Sequence, residues 1–226
     1  MPFAHGARLA FGMIVSAGIV GFSIVMLRLR ARPATWVSLD GLALAQVGLG
    51  SAAYAGLASV SVGILVLAGM ADVNAPGSSD TLLKLAYLLV LVLLSEALSE
   101  ELLFRGWLMD ALGSGRSPWR PVLGQAAVFT LFAWAIGSLN SLQDASFIAC
   151  FGLVLGIVRA VTGSIWAPVG VHLAFIATQQ SALPQWAIWA GDPHPLVQSL
   201  GLAIVPFSVI VAILFGRVRP RSENIS

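Results

Sequence analysis

The chain has 226 residues, is 58% hydrophobic and only 10% charged, and carries a formal net charge of +2. A soluble domain averages about 25% charged residues, so a chain this poor in charge cannot cover a water-facing surface, and its mean hydropathy of +0.91 points to a polytopic helical membrane protein. The small net charge and the scattered basic residues exclude a nucleic-acid binder, and the single cysteine, Cys150, excludes an internal disulfide and any cysteine-based metal site.

The first element is residues 9–28, apolar after Arg8. It is longer than the roughly 7–15 residues of a signal-peptide core, and Arg28, Arg30 and Arg32 follow it as a stop signal, so it reads as an uncleaved first span. Six further segments approach the ~20 apolar residues that a bilayer asks of a helix. They are 46–70, 81–112, 119–138, 144–161, 164–182 and 197–216. The connections carry breakers: "RARPATW" (30–36), "NAPGSSD" (74–80), "GSGRSP" (113–118), "TGS" (162–164) and "GDPHP" (191–195). The expected fold is all-α, a polytopic membrane bundle of about seven transmembrane helices. It divides into 1–80 with helices 1 and 2, 81–182 with a core of helices 3–6, and 183–226 with a loop, helix 7 and a basic tail. No soluble domain and no repeat fits.

Small residues recur every four positions at Gly48, Ala52 and Gly56 and at Gly152 and Gly156, which predicts close helix packing. Trp36, Trp119, Trp166, Trp186 and Trp189 fall near span ends and read as interfacial anchors. Cys150 reads as a small apolar core residue.

Seven spans put Arg28, Arg30, Arg32, Arg116, Arg120, Arg159, Arg217, Arg219 and Arg221 on one side, and Arg8 and Lys84 on the other. The nine-to-two imbalance predicts an outside N-terminus and a cytoplasmic C-terminus. The plasma membrane of a bacterium is the expected location.

The stretch "LSEALSEELLFRGWL" (94–108) then stands out, because it places Glu96, Glu100, Glu101 and Arg105 in the third span. A carboxylate at a helix centre costs about 2.5–3.5 kcal/mol on insertion scales, so such groups face a cavity or a partner. Glu96 and Glu100 are four apart and share a face. Glu101 and Arg105 are also four apart and can pair directly. A helix end with solvated charges would account for the same residues without chemistry. His172 is the second polar residue in an apolar setting, in "IWAPVGVHLAF" (165–175). A lone histidine there can hydrogen-bond a neighbouring carbonyl. Together with the glutamates it also supplies base and oxyanion-stabilising groups in a bundle core.

"EELLFRG" (100–106) resembles the EExxxR motif of the CPBP intramembrane proteases, the group that includes CAAX prenyl protease 2 and the bacteriocin-processing and immunity Abi proteins. "VRAVTGSIWAPVGVHLAF" (158–175) is similar to the family's later motif region. The resemblance covers about residues 81–180. It implies that Glu100 activates water, that His172 stabilises the oxyanion, and that Glu101 and Arg105 form a pair shaping the site. Two positions depart from the pattern. "FAWAI" (132–136) aligns with FxxxH and "HLAFI" (172–176) with HxxxN, so Ile136 and Ile176 stand where a histidine and an asparagine are expected. Asn140 and Gln179 lie on the same helical faces as the lost groups. No cofactor is implied. Glu100, Glu101 and His172 offer metal-binding atoms, but a further protein ligand is wanting, so no metal is assigned.

The implied activity is hydrolysis of a membrane-associated or prenylated peptide or protein near the cytoplasmic face, with the lipid bilayer as the other partner. The two isoleucines keep open a pseudoenzyme, a scaffold or immunity factor that binds without cutting. A transporter using Glu96 and Glu100 as a proton site is a third reading, against which stand the resemblance and the lack of a pair of broken helices.

Overall fold

The computed structural model describes residues 2–29, 34–38, 41–75, 77, 79–113 and 117–218. Among them run seven helices: α1 (Pro2–Leu29), α2 (Ala43–Leu67), α3 (Thr81–Leu112), α4 (Trp119–Ala135), α5 (Leu142–Thr162), α6 (Trp166–Ser181) and α7 (His194–Arg217). Helices α2, α3, α5 and α7 are long and apolar enough to cross a membrane, and Met13–Val25 in α1 adds a shorter apolar stretch. The all-α bundle agrees with the sequence reading, as does an integral membrane protein. Leu44, Leu67 and Leu142 point outward almost fully exposed, as lipid-facing residues do.

Helices α4 and α6 have 17 and 16 residues. At 1.5 Å per residue they are about 24–26 Å long, short of the ~30 Å hydrocarbon layer. Both are shorter than the spans read from sequence. Gly137 ends α4 early: at φ +73° it adopts the left-handed conformation, and its N–H donates to Trp134 O while Ser138 N–H donates to Ala133 O. This glycine-capped stop puts Ile136 in a turn and Ser138 beyond the helix. Gly163, at φ +72°, closes α5 the same way, its N–H reaching Arg159 O. Ser141 starts α5, its Oγ accepting from Asp144 N–H at 3.0 Å.

The core is a continuous cluster shared by α2 to α7, built around Tyr54, Phe104, Phe129, Phe151, Phe175 and Phe207. Helix α2 packs on α6 where Gly50 and Gly170 let the backbones approach, and Ser51 Oγ donates to Gly170 O at 2.9 Å. Tyr54 Oη ties α2 to α7 by donating to Leu202 O at 2.7 Å. Helix α1 lies against α3, where Ser16 Oγ donates to Ser95 O and sits 3.0 Å from Ser99 Oγ.

Several local expectations are corrected. The Gly48–Ala52–Gly56 face is exposed, and a Cβ built on Gly48 or Gly56 meets nothing within 4 Å; α2 packs instead through the face that carries Gly50, Tyr54 and Ala58. Gly152 and Gly156 are closely packed as expected, against Ala126 and Gln125 of α4. Cys150 is exposed, because it faces away from the α5 core side marked by Phe151, Val154 and Leu155. Trp36 is buried, its ring edge-on to Trp107 and against Gly106, so it packs inside the protein. Two short strands also went unread: β1 (Asp72–Asn74) pairs antiparallel with β2 (Ala190–Asp192), joining the α2–α3 and α6–α7 loops. Three-residue strands carry too little periodicity to announce themselves.

Candidate active site

Helix α3 is not uniformly α. Leu93–Ala97 and Glu101–Leu108 are π-helical, and every charged residue of the third-span stretch lies in or beside these segments. Such widened turns recur at functional sites because they re-aim side chains.

The four candidate residues come together. Arg105 Nη1 donates to Glu101 Oε1 at 3.0 Å, and both side chains are fully buried. From α6, His172 Nδ1 lies 2.8 Å from the same Glu101 oxygen. As the carboxylate of that ion pair Glu101 accepts, which makes Nδ1 the donor in this hydrogen bond. That turns His172 Nε2 toward Glu100, whose Oε2 is 3.8 Å away. Phe151 and the imidazole pack perpendicular to each other, with ring centroids 5.0 Å apart.

Glu100 differs from Glu101 in surroundings. Its side chain is 23% exposed, and it lines a cavity of about 190 Å³ together with His172, Glu96, Ile136, Ser138 and Ile176. Phenylalanines 129, 132, 147, 151 and 175 form most of the rest of the wall. The two isoleucines that replace the expected histidine and asparagine are thus both on the cavity wall, with Glu100 and His172. Neither Asn140 nor Gln179 is among the residues lining it. Asn140 N–H is engaged by Asp144 Oδ2 at 3.0 Å, and Gln179 Nε2 faces Gln198 O at 3.4 Å.

A buried scaffold stands behind the pair. Arg105 Cζ sits 4.5 Å over the Phe129 ring, and its Nη2 reaches Gly152 O at 3.5 Å. Gln125 Nε2 donates to that same carbonyl at 2.7 Å and to Val122 O at 2.9 Å. Arg159 Nε donates to Arg105 O at 3.0 Å. Arg159, counted as a topology-setting charge, is therefore buried against the site. Gln125 was missed by sequence reasoning altogether. A glutamine in an apolar helix was the available signal, weaker than a charge.

A family model described as type II CAAX prenyl endopeptidase Rce1-like matches residues 82–178. The matched segment nearly coincides with the 81–180 drawn from the motifs, and it contains Glu100, Glu101, Arg105 and His172. No curated protein and no solved structure matches the chain.

Proposed function

We propose that this integral membrane protein, Rce1-like over residues 82–178, is a glutamate-dependent endopeptidase acting on a membrane-associated peptide or protein. The observation that carries the reading is the approach of Glu100 and His172 Nε2 to 3.8 Å at one cavity wall. A water held there is within reach of both groups.

In this reading Glu100 takes a proton from the water as its oxygen bonds to the scissile carbonyl carbon. The carbonyl oxygen becomes an oxyanion and accepts from His172 Nε2–H. That donor requires the doubly protonated ring, since Nδ1–H is already given to Glu101. Glu100, Glu101, Arg105 and His172 then carry two negative and two positive charges, an electroneutral set suited to low dielectric. Collapse of the intermediate breaks the C–N bond, and Glu100 hands its proton to the leaving amine. Glu101 and Arg105 orient the ring and touch no substrate. We also place the C-terminus in the cytoplasm of a bacterial cell, on the Lys/Arg imbalance. Arg30, Arg32, Arg116, Arg219 and Arg221 of that count lie outside the described residues.

A second reading is favoured by the two isoleucines on the cavity wall: a pseudoprotease that binds peptides or partner helices without cutting. The experiment that separates the two is hydrolysis of a micelle-anchored fluorogenic peptide, prenylated and unprenylated, by the purified chain in nanodiscs. Turnover that vanishes in Glu100→Gln supports the peptidase. Turnover indifferent to Glu100→Gln overturns the assigned base, and no turnover with retained binding selects the pseudoprotease.

A further inference from the structure

The cavity contains a second carboxylate to which hydrolysis gives no task. Glu96 lines it together with Glu100 and His172. It stands on the π-helical segment Leu93–Ala97, and Gln180 Nε2, from the last turn of α6, donates to its Oε1 at 3.0 Å. An amide fixes a carboxylate in position but does not neutralise it.

Charge accounting around the cavity leaves a deficit of cations. No lysine or arginine lines it. The Arg105 guanidinium is fully buried and paired with Glu101. The lining sets two carboxylates, Glu96 and Glu100, against one imidazole, that of His172. A carboxylate at a membrane cavity without a counter-charge takes up a proton, whereas an arriving cation favours its charged form. Five phenylalanines make up much of the wall, and one of them, Phe129, already carries the Arg105 guanidinium on its ring face at 4.5 Å.

We infer that this cavity is the subsite for a cationic side chain, lysine or arginine, of the peptide substrate, with Glu96 as its charge partner and Gln180 as the residue that positions Glu96. The assignment of the ligand as a substrate rests on the peptidase reading; the recognition of a cationic peptide does not. Size agrees. About 190 Å³ equals the liquid volume of roughly six waters, enough for one extended side chain and too little for a folded segment. Position agrees as well. Four residues of helix separate Glu96 from Glu100 by about 6 Å along the axis, and an extended peptide advances about 3.5 Å per residue. The cation therefore belongs within two residues of the scissile bond.

The test uses the full chain in a neutral detergent and a series of lipid-anchored hexapeptides, each with lysine or uncharged norleucine at one position. Binding is read by fluorescence anisotropy and hydrolysis by fluorescence. At one position near the scissile bond the wild-type protein is expected to bind the lysine peptide about tenfold more tightly than its norleucine twin. Glu96→Gln should abolish that preference by weakening lysine-peptide binding while norleucine-peptide binding stays as it is. Gln180→Ala should halve the preference or more, and Glu96→Lys should reverse it toward a glutamate peptide. If no peptide is cut, the peptidase reading falls while the binding ratios still decide this one. Equal binding of each lysine and norleucine pair, a preference that survives Glu96→Gln, or no peptide binding at all overturns the subsite. Thermal unfolding of each variant in the same detergent guards against misfolding, and the charge-reversed preference of Glu96→Lys cannot arise from it.

Discussion

His172 bridges two neighbouring carboxylates unequally, with Nδ1 at 2.8 Å from Glu101 and Nε2 at 3.8 Å from Glu100. The nearer carboxylate has no exposure and is shared with Arg105; the farther one opens onto the cavity. Adjacent glutamates of one motif thus meet opposite surroundings, because successive residues of a helix point about 100° apart. One of them is locked into the buried ion pair and the other faces the cavity.

That asymmetry predicts different consequences of the same substitution. Glu101→Gln leaves the Arg105 guanidinium buried without its ionic partner, and breaking a buried pair costs about 3–5 kcal/mol. Glu100→Gln replaces a carboxyl that is 23% exposed and has no direct partner closer than 3.8 Å, for a change of about 1 kcal/mol or less. Membrane yield and thermal unfolding of the two variants in parallel are the measurement. Equal losses, or a larger loss for Glu100→Gln, would show the anchoring and reactive carboxylates to be reversed.

The α2–α6 contact predicts a second contrast. A Cβ at Gly170 would lie 2.9 Å from Ser51 N and closer still to Val47 O, which are backbone atoms that do not yield easily. Gly170→Ala should destabilise by about 1–3 kcal/mol, the usual cost of overpacking. Gly56→Ala meets open space and should leave the unfolding midpoint unchanged. A matching drop in both variants would mean that the exposed small-residue face of α2 is also packed against something.

How much of this was legible follows from what a membrane does to sequence patterns. Seven apolar stretches with glycine and proline breaks located the helices, since lipid demands length and apolarity whatever the packing. Ionisable groups were equally visible, because each is an exception in an apolar helix: Glu100, Glu101, Arg105 and His172 meet in one cluster, and Ile136 and Ile176 reach the wall where their alignment put them. The inward face of each helix was not legible. Core and lipid are both apolar, so no periodicity separates them. That is why Gly48 and Gly56 resembled a packing face, Cys150 a core residue and Trp36 an interfacial anchor. Gln125 and Gln180 lacked a charge to betray them, and the π-helical turns of α3 have no compositional signature.

Topology gives a third prediction. The seven-span reading of the sequence puts nine basic residues on one side and two on the other, and on that reading a reporter fused after Ser226 should be active in the cytoplasm. Ser226 itself lies outside the described residues. Arg159 is buried against Arg105 and so is a poor topological signal. Removing it from the tally leaves eight against two, and Arg159→Leu should therefore disturb stability and not orientation. Protease protection of a C-terminal tag in oriented vesicles measures both. A tag exposed on the outside overturns the seven-span orientation.

The isoleucines give the last prediction. Ile136 is 54% exposed on the turn after α4, and Ile176 lies one helical turn beyond His172, half-buried on the same cavity wall. Restoring the polar groups the family pattern expects should cost little at Ile136, where a histidine remains solvated. It should cost more at Ile176, which packs against the aromatic core and there must hydrogen-bond to be accommodated. A second base or orienting group is worth about 10²–10⁴ in rate, and one oxyanion donor about 10²–10³. If Glu100 and His172 already form a working but impoverished site, Ile136→His should raise kcat by at least ~10², and Ile136→His with Ile176→Asn should raise it further. Glu100→Gln introduced into the double variant should remove the gain. Single-turnover hydrolysis of the anchored peptide, compared across these four proteins, is the measurement. A gain that ignores Glu100→Gln would place the chemistry elsewhere. A double variant that stays silent while binding peptide as tightly as the parent would mean that the cavity has become a binding site, and that more than two side chains separate it from catalysis.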